Sequence, residues 1–316
     1  MAHPAPKRHH VGVTPPSEGA APLESLAYNT FIVSYVLAFG GAALYLALPL
    51  WPRVSYRAAE TTAGTSMTIA SRSEPPAWLA PAATATSWLM LATLTLSLAF
   101  RWIATEHPPY ANMYEYTIAL GWGSTLFYVI FERAFGQRSL GAVLFPGIAA
   151  LFTVSLVFFP TEVTALIPAL QANRILGIHV GMMMMSYSAL SVSFGAAVLY
   201  FVQDGKRRFA RLPSAARLEE IAHTSVLVGF PMLALGIALG AWWANDAWGR
   251  YWGWDPKETS ALVTWLIYAG YLHARGLRGW RGKRSAAILI VGYAAVLFTY
   301  FAVNLWVSGL HSYAGV

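Results

Sequence analysis

The residues best suited to chemistry sit in one short run, Trp248-Gly249-Arg250-Tyr251-Trp252-Gly253-Trp254-Asp255-Pro256-Lys257-Glu258. Its eleven residues include three tryptophans, one tyrosine and four charged side chains. Glycines between the rings let a flat molecule approach the backbone closely, and the charges suit a polar rim. A large planar apolar molecule with a charged edge matches that character, and heme is the natural candidate. An aromatic cluster between apolar segments also serves as a plain membrane-interface anchor, because these rings are apolar with one polar edge. Anchoring gives no reason for the fixed run Asp255-Pro256-Lys257-Glu258.

Five histidines lie beyond the first ten residues: His107, His179, His223, His273 and His311. Two neutral imidazoles on opposite faces of a porphyrin give a six-coordinate iron. His179 lies about one turn inside an apolar segment, and His311 just past the end of the last one. The order of segments brings both to the side of the Trp-rich run. A lone helix-end histidine is better explained by a bond to a backbone carbonyl; two at one level beside an aromatic platform favour ligation. His273 lies near the opposite end of its segment, where an ionisable side chain is costly and marks a candidate site. It suits a second heme whose other ligand comes from another subunit, or a side chain that snorkels to the interface. His223 has no such context. His3, His9 and His10 fall in a polar tail that suits only adventitious metal.

Other features have structural explanations beside chemical ones. Met182 to Met185 point all round a helix and fit packing better than axial ligation. Arg250 and Lys257 suit heme propionates, or a salt network with Asp255 and Glu258. If residues 248–255 are helical, Trp248, Trp252 and Asp255 share one side at i, i+4 and i+7. Asn112 and Glu115 suit the cap and the dipole of a helix N-terminus, or the lining of a cavity.

The elements that position these residues are membrane helices. The chain has 316 residues, 57% hydrophobic and 11% charged, with a mean hydropathy of +0.49. That composition excludes an ordinary soluble domain. A helix needs about 20 apolar residues to cross the bilayer core. On that rule the sequence predicts an all-α polytopic integral membrane protein with about eight spans, at 27–50, 84–104, 113–133, 139–160, 175–202, 221–243, 259–275 and 285–310. Of these, 113–133 and 259–275 are short and interrupted by polar groups. Of the 21 Lys and Arg residues, only Lys7, Arg8, Arg101, Arg174, Arg250 and Lys257 fall on the Trp-rich side. Basic loops favour the cytoplasm, which places the Trp-rich loop and both termini outside it. The net charge of +7 suits the anionic inner leaflet and calls for no nucleic acid. Residues 1–26 read as a disordered tail without the pattern of a cleavable signal or transit peptide; 51–83 read as a cytoplasmic linker. There is no cysteine, which excludes disulfides, thiolate metal sites, covalent heme on this chain and a thiol nucleophile of its own.

Several ordered elements together resemble the System II cytochrome c synthase family, the CcsA or ResC proteins. They are Asn112-Met113-Tyr114-Glu115; Ile178-His179-Val180 with Ser186-Tyr187; Trp248 to Glu258 with Thr264-Trp265; Tyr271-Leu272-His273-Ala274-Arg275; and Gly309-Leu310-His311-Ser312-Tyr313. The resemblance implies a heme-handling cytochrome c synthase domain over 105–316, with its Trp-rich "WWD" loop at 242–258, preceded by N-terminal membrane helices over 27–104. It implies that His179 and His311 are catalytic and ligate the iron of heme b outside the cytoplasm. Trp243, Trp248, Trp252, Trp254 and Asp255 then hold the cofactor beside them. His273 becomes the ligand of an inner heme, shared with a CcsB or ResB partner. The implied activity is thioether attachment of heme to Cys-x-x-Cys-His apocytochromes at a bacterial plasma membrane, with thiol-reducing proteins as further partners. Competing readings are a heme carrier or exporter without ligation, a bis-histidine b-type electron-transfer protein, and a non-heme transporter.

Overall fold

A computed structural model describes residues 20–311 apart from 52–53, 61–65, 164–165, 167–169, 172–173, 204–208 and 210. Most of the tail read over 1–26, together with Ser312 and Tyr313, lies outside the described residues. Among the described residues, eight long helices follow one another: α1 Ala20–Leu50, α2 Leu79–Thr105, α3 Met113–Phe135, α4 Gly141–Phe158, α5 Arg174–Gln203, α6 Ala215–Trp248, α7 Pro256–Leu277 and α8 Lys283–Leu297. A π turn, Phe298–Ala302, and a short helical turn, Val303–Leu305, continue α8. Each predicted span coincides with one helix, although α1 starts earlier than its apolar run. Among the described residues, six helical stretches are long and apolar enough to cross a membrane, and the chain is a multi-pass membrane protein. The other two are α3 and α7, whose acidic, basic and hydroxyl side chains lower their hydropathy.

The fold departs from an all-helical reading at one place. Residues Val54–Glu60 and Ser66–Arg72, inside the stretch read as a plain linker, pair as an antiparallel hairpin, β1 and β2. Short alternation of apolar residues with polar ones (Val54 and Tyr56, then Met67 and Ile69) is the local cause.

Helix α5 is central and packs on α3, α4, α6 and α8. In hydrocarbon, apolar side chains gain nothing by leaving lipid, so close packing and polar contacts must hold helices together. The α5–α6 pair shows both. Ser186 donates to the Gly229 carbonyl at 2.8 Å, and Ser225 donates to the Ala189 carbonyl. A Cβ on Gly229 would come within 2.9 Å of the Leu190 side chain, so the crossing needs glycine there.

Buried charge is compensated. Arg101 at the end of α2 and Glu115 in the first turn of α3 pair at 2.9 Å, at 5% and 1% exposure. Arg101 also donates to the carbonyls of Thr161 and Glu162, tying three segments together. Asn112 caps α3 by accepting from the Glu115 amide at 2.9 Å. Of the two roles read for Asn112 and Glu115, the structural one is observed. At the other end of the bundle, Glu132 accepts from Tyr45 and Thr84 and pairs with Arg138.

Candidate functional site

The helix order brings the end of α2, the start of α3, the start of α5, the end of α6, the start of α7 and the segment after α8 to one end of the bundle. The Trp-rich run joins α6 to α7 there. Helix α6 stops at Trp248 because Gly249 takes the left-handed conformation, φ +71°, which glycine adopts without strain. Helix α7 starts at Pro256, a residue suited to the first helical position. Residues 249–255 are therefore not helical, and the shared face anticipated for Trp248, Trp252 and Asp255 does not exist. The run read as a loop over 242–258 also includes the last turns of α6 and the first turn of α7.

Asp255 and Glu258 build the start of α7. Asp255 accepts from the Lys257 amide at 2.9 Å. Glu258 reaches back to the amides of Gly253 and Asp255, at 2.8 and 3.1 Å, closing a capping box. These acids serve the helix end and the neighbouring chain. Of the pairings considered, Lys257 instead donates to Asn304 at 2.7 Å, with its ammonium 5.8 Å from the Tyr116 ring centroid. Arg250 is exposed.

His179 and His311 are oriented by the same device from opposite sides. Nδ1 of His179 lies 2.7 Å from the carbonyl oxygen of Gly236 on α6. Nδ1 of His311 lies 2.8 Å from Oδ1 of Asp255. Both partners are acceptors, so each Nδ1 carries the proton and the lone pair belongs to Nε2. This is the arrangement that metal-ligating histidines use, with the second nitrogen fixed by a carbonyl or carboxylate. Burial lowers the His311 pKa despite the opposing pull of Asp255, which keeps the ring neutral. Burial opposes the charged form of Asp255, yet bonds from His311 and from the Lys257 and Leu310 amides prevail and hold its pKa down at about 2.

Trp243, fully buried, has a ring contact with each of the two histidines. Its ring is parallel to His179 within 8° at 6.4 Å between centroids, and stands 5.7 Å from the His311 ring. Trp248 meets His311 edge-on at 4.8 Å and Trp243 at 4.7 Å. His179, His311, Trp243, Trp252, Lys257 and Tyr116 line one cavity with about 880 Å³ of empty space, its open mouth included. Its walls are mainly apolar, Met183 and Met184 among them. The donor set of two neutral imidazoles, an aromatic wall and one ammonium fits heme.

The remaining expected residues are placed differently. Trp254 is 70% exposed and its ring is edge-on to Trp252 at 5.8 Å. Its φ of +56° is left-handed, a strained conformation for a residue with a Cβ. His273 is exposed on α7 at the far end of the bundle, while its neighbours Tyr271, Ala274 and Arg275 are buried. His223 faces the Tyr271 hydroxyl at 3.5 Å. The His107 ring lies 2.9 Å from the carbonyl of its neighbour Pro108, and the His107 carbonyl accepts from Thr105 at 3.0 Å.

Sequence reasoning missed the glycines that make room for His179. A Cβ on Gly240 would lie 2.6 Å from the His179 ring, and one on Gly236 would lie 2.6 Å from the Met183 sulfur. The signal was present as Gly236-Ile237-Ala238-Leu239-Gly240, a small-xxx-small pattern in an apolar helix. Asn304 and Tyr116 were also missed. Their approach depends on the π turn, which widens the helix beside the cavity and lets Thr299, Tyr300 and Asn304 all line it.

Comparison with known proteins adds three findings. The sequence profile described as "Cytochrome C assembly protein" matches residues 110–311. Among curated relatives, a protein named cytochrome c biogenesis protein CcsA from Guillardia theta is 37% identical over 246 residues, covering 70% of this chain and 81% of that protein. The protein of the same name from Synechocystis sp. is 33% identical over 300 residues, covering 76% and 90%. Among solved structures, a chain titled cytochrome c heme lyase CcmF superposes with a TM-score of 0.66 at 18% identity, covering 92% of this chain and about half, 48%, of that one. At that identity the likeness concerns the fold.

Proposed function

Because the chain belongs to the cytochrome c assembly protein family, we propose that its Trp-rich end holds heme b between His179 and His311 and presents it to apocytochrome c for thioether attachment. The broader statement, a multi-pass membrane protein of cytochrome c biogenesis, follows from the family and the curated relatives. One observation carries the finer reading. The two histidines come from distant parts of the sequence, line one cavity, and each has Nδ1–H engaged by a fixed acceptor.

Heme supplies two vinyl groups, and each attachment is an addition: the thiol sulfur bonds to one vinyl carbon, its proton passes to the other, and neither partner is oxidised. The thiols must come from the acceptor's Cys-x-x-Cys-His segment, because this chain has no cysteine. The chain's own residues bind and orient. His179 and His311 hold the iron, and the acceptor's histidine replaces one of them. Trp243 and Trp248 pack beside the ligand rings, Trp252 closes the cavity wall, and Lys257 receives a propionate. Proximity and orientation of this kind account for about 7–11 kcal/mol of a barrier, so no further acid or base is needed.

The same reading places the Trp-rich end outside the cytoplasm of a bacterial plasma membrane, with all eight helices crossing. Residues 27–104 then form an N-terminal helical unit and 105–316 the heme-handling unit. His273, exposed near the inner end, shares an inner heme with a histidine of a CcsB-type partner, and a thiol-reducing protein keeps the acceptor cysteines reduced.

The test uses the protein co-expressed with a CcsB-type partner and a Cys-x-x-Cys-His reporter. Covalent heme on the reporter is expected with the native chain. It is expected to be lost in H179G or H311G, with imidazole restoring heme binding. Heme bound to the complex without any covalent product would favour a carrier without ligation. Normal low-spin spectra in both histidine variants without imidazole would refute the ligand assignment.

A further inference from the structure

The two candidate iron ligands are backed by different chemistry, and the difference ranks them. Nδ1–H of His311 donates to a buried carboxylate, Oδ1 of Asp255, at 2.8 Å. Nδ1–H of His179 donates to a neutral carbonyl, that of Gly236, at 2.7 Å. Gly236 lies inside α6, so its oxygen also serves the helix's own amide four residues on. Hydrogen bonds to an ionised partner are roughly twice as strong as neutral ones. A carboxylate behind an imidazole also raises the basicity of the nitrogen left to ligate. Of the two, His311 is therefore the stronger donor to iron.

Asp255 holds the chain that carries His311 as well as its ring. Its Oδ2 accepts from the Leu310 amide at 2.6 Å. A Cβ on Gly309 would lie 2.5 Å from that oxygen and 3.0 Å from Cδ of Pro256, so the segment seats on the carboxylate because residue 309 is glycine. Oδ1 also accepts from the Lys257 amide at 2.9 Å, which fixes the carboxylate at the start of α7. Trp248 closes on the His311 ring edge-on at 4.8 Å. His311 follows the last helical turn, where the chain would otherwise be the looser of the two, and these contacts remove that freedom. His179 has the α5 backbone behind it, but its ring is oriented by a single shared carbonyl among the described hydrogen bonds.

We infer that His311 is the permanent ligand and His179 the outgoing one, so that the acceptor's histidine takes the place of His179. This rests on the bis-histidine reading proposed above and adds to it the order of ligand exchange and the side from which the acceptor enters. The exchange balances as one neutral imidazole nitrogen for another, with no proton or electron gained or lost. Asp255 is then a positioning residue whose carboxylate acts through His311.

The test uses the purified full chain in detergent, loaded with hemin; without its partner the proposed inner site is incomplete and only the Trp-rich end takes heme. Reduced and saturated with carbon monoxide, the iron gives up its weaker axial ligand, and the Fe–CO and C–O stretching frequencies report the ligand that stays opposite. H179G and H311G are loaded with the help of imidazole and treated alike. The native spectrum is expected to coincide with that of H179G and to differ from that of H311G. D255N keeps both histidines, and Asn still caps a helix, so it guards against misfolding; it should shift the native frequencies. An acceptor peptide with Ser-x-x-Ser-His in place of the thiols should restore low-spin bands in H179G at a concentration about tenfold or more below that needed for H311G. A native spectrum that matches H311G and is untouched by D255N, or a peptide that serves H311G as well as H179G, would overturn the ranking and leave both histidines as ligands. A native chain that never shows bis-histidine bands would instead overturn the heme reading beneath it.

Discussion

His179 reaches the carbonyl of Gly236 at 2.7 Å across the α5–α6 crossing, and it can do so because Gly240, one turn further along α6, has no side chain. In a helix the carbonyl of residue i faces residue i+4, so a Cβ there would stand beside any outside donor. At Gly240 that Cβ would lie 2.6 Å from Cε1 and 2.8 Å from Nδ1 of His179. Ligand orientation and helix packing thus share one cause.

The first prediction follows from that crossing. G240A should push the imidazole aside and break its bond to Gly236 while the helices stay assembled. The reduced low-spin heme bands should fall at least severalfold, with free imidazole restoring them. A G240A protein whose visible spectrum matches the native one without imidazole would mean that His179 is not a ligand held in this pose.

Acid should act through Asp255 and His311 in the same direction. Asp255 sits at about 2 against an ordinary 3.8, so the native state binds fewer protons than the unfolded chain across that window. The stability it contributes, about 2 kcal/mol, is complete above pH 4 and lost as pH falls toward 2. The His311 pKa is also lowered; its share is present above about pH 6.5 and lost as pH falls below that. Tm in detergent should therefore decline on acidification in two stages. D255N should remove the stage below pH 4, lower Tm at pH 7 and weaken heme binding. An unchanged acid profile in D255N would sever Asp255 from His311.

Much of this was legible in the sequence, and the reasons differ by element. The long apolar runs gave six of the helices, because the pattern of a membrane helix is carried by composition and length alone, and the two shorter, polar-interrupted runs gave α3 and α7. The pairing of His179 with His311 was legible from topology, since each span reverses direction. The sequence offers Asp255 as a cofactor-holding residue or a member of a salt network; the structure shows that it also caps α7 and holds His311. That double role depends on where residues 309–311 return, a tertiary fact that spacing does not encode. Gly236 and Gly240 were present as a pattern, but a packing motif does not reveal which side chain will use the space. The hairpin at 54–72 was missed because two short alternating runs carry little signal inside a polar stretch.

Trp254 offers a test of strain against use. Its φ of +56° costs about 1–2 kcal/mol for a residue with a Cβ, and its ring is 70% exposed. W254G should therefore raise Tm by a few degrees and leave the heme spectrum intact. If the displayed ring meets the incoming apocytochrome, covalent attachment should fall all the same. A variant that is more stable and fully active would show that the exposed ring is dispensable.

Lys257 separates the orientation of heme from its ligation. Its ammonium lines the cavity, donates to Asn304 rather than to a carboxylate, and lies against Tyr116. A cation in a mainly apolar pocket gains most from an anionic partner that arrives with the ligand, because the low dielectric strengthens the attraction. Heme has two propionates on one edge and vinyls elsewhere, so fixing a propionate fixes where the vinyls point. K257Q should weaken binding of iron protoporphyrin IX about tenfold, one charge-assisted contact. It should leave binding of the dimethyl ester, which lacks the charges, nearly unchanged, and both pigments should keep bis-histidine spectra. Spectral titration of the two pigments into native and K257Q protein measures this directly. Equal losses for acid and ester would make Lys257 a structural prop of the cavity wall. No loss for either would move the propionates to the exposed Arg250 and turn the heme edge toward the mouth.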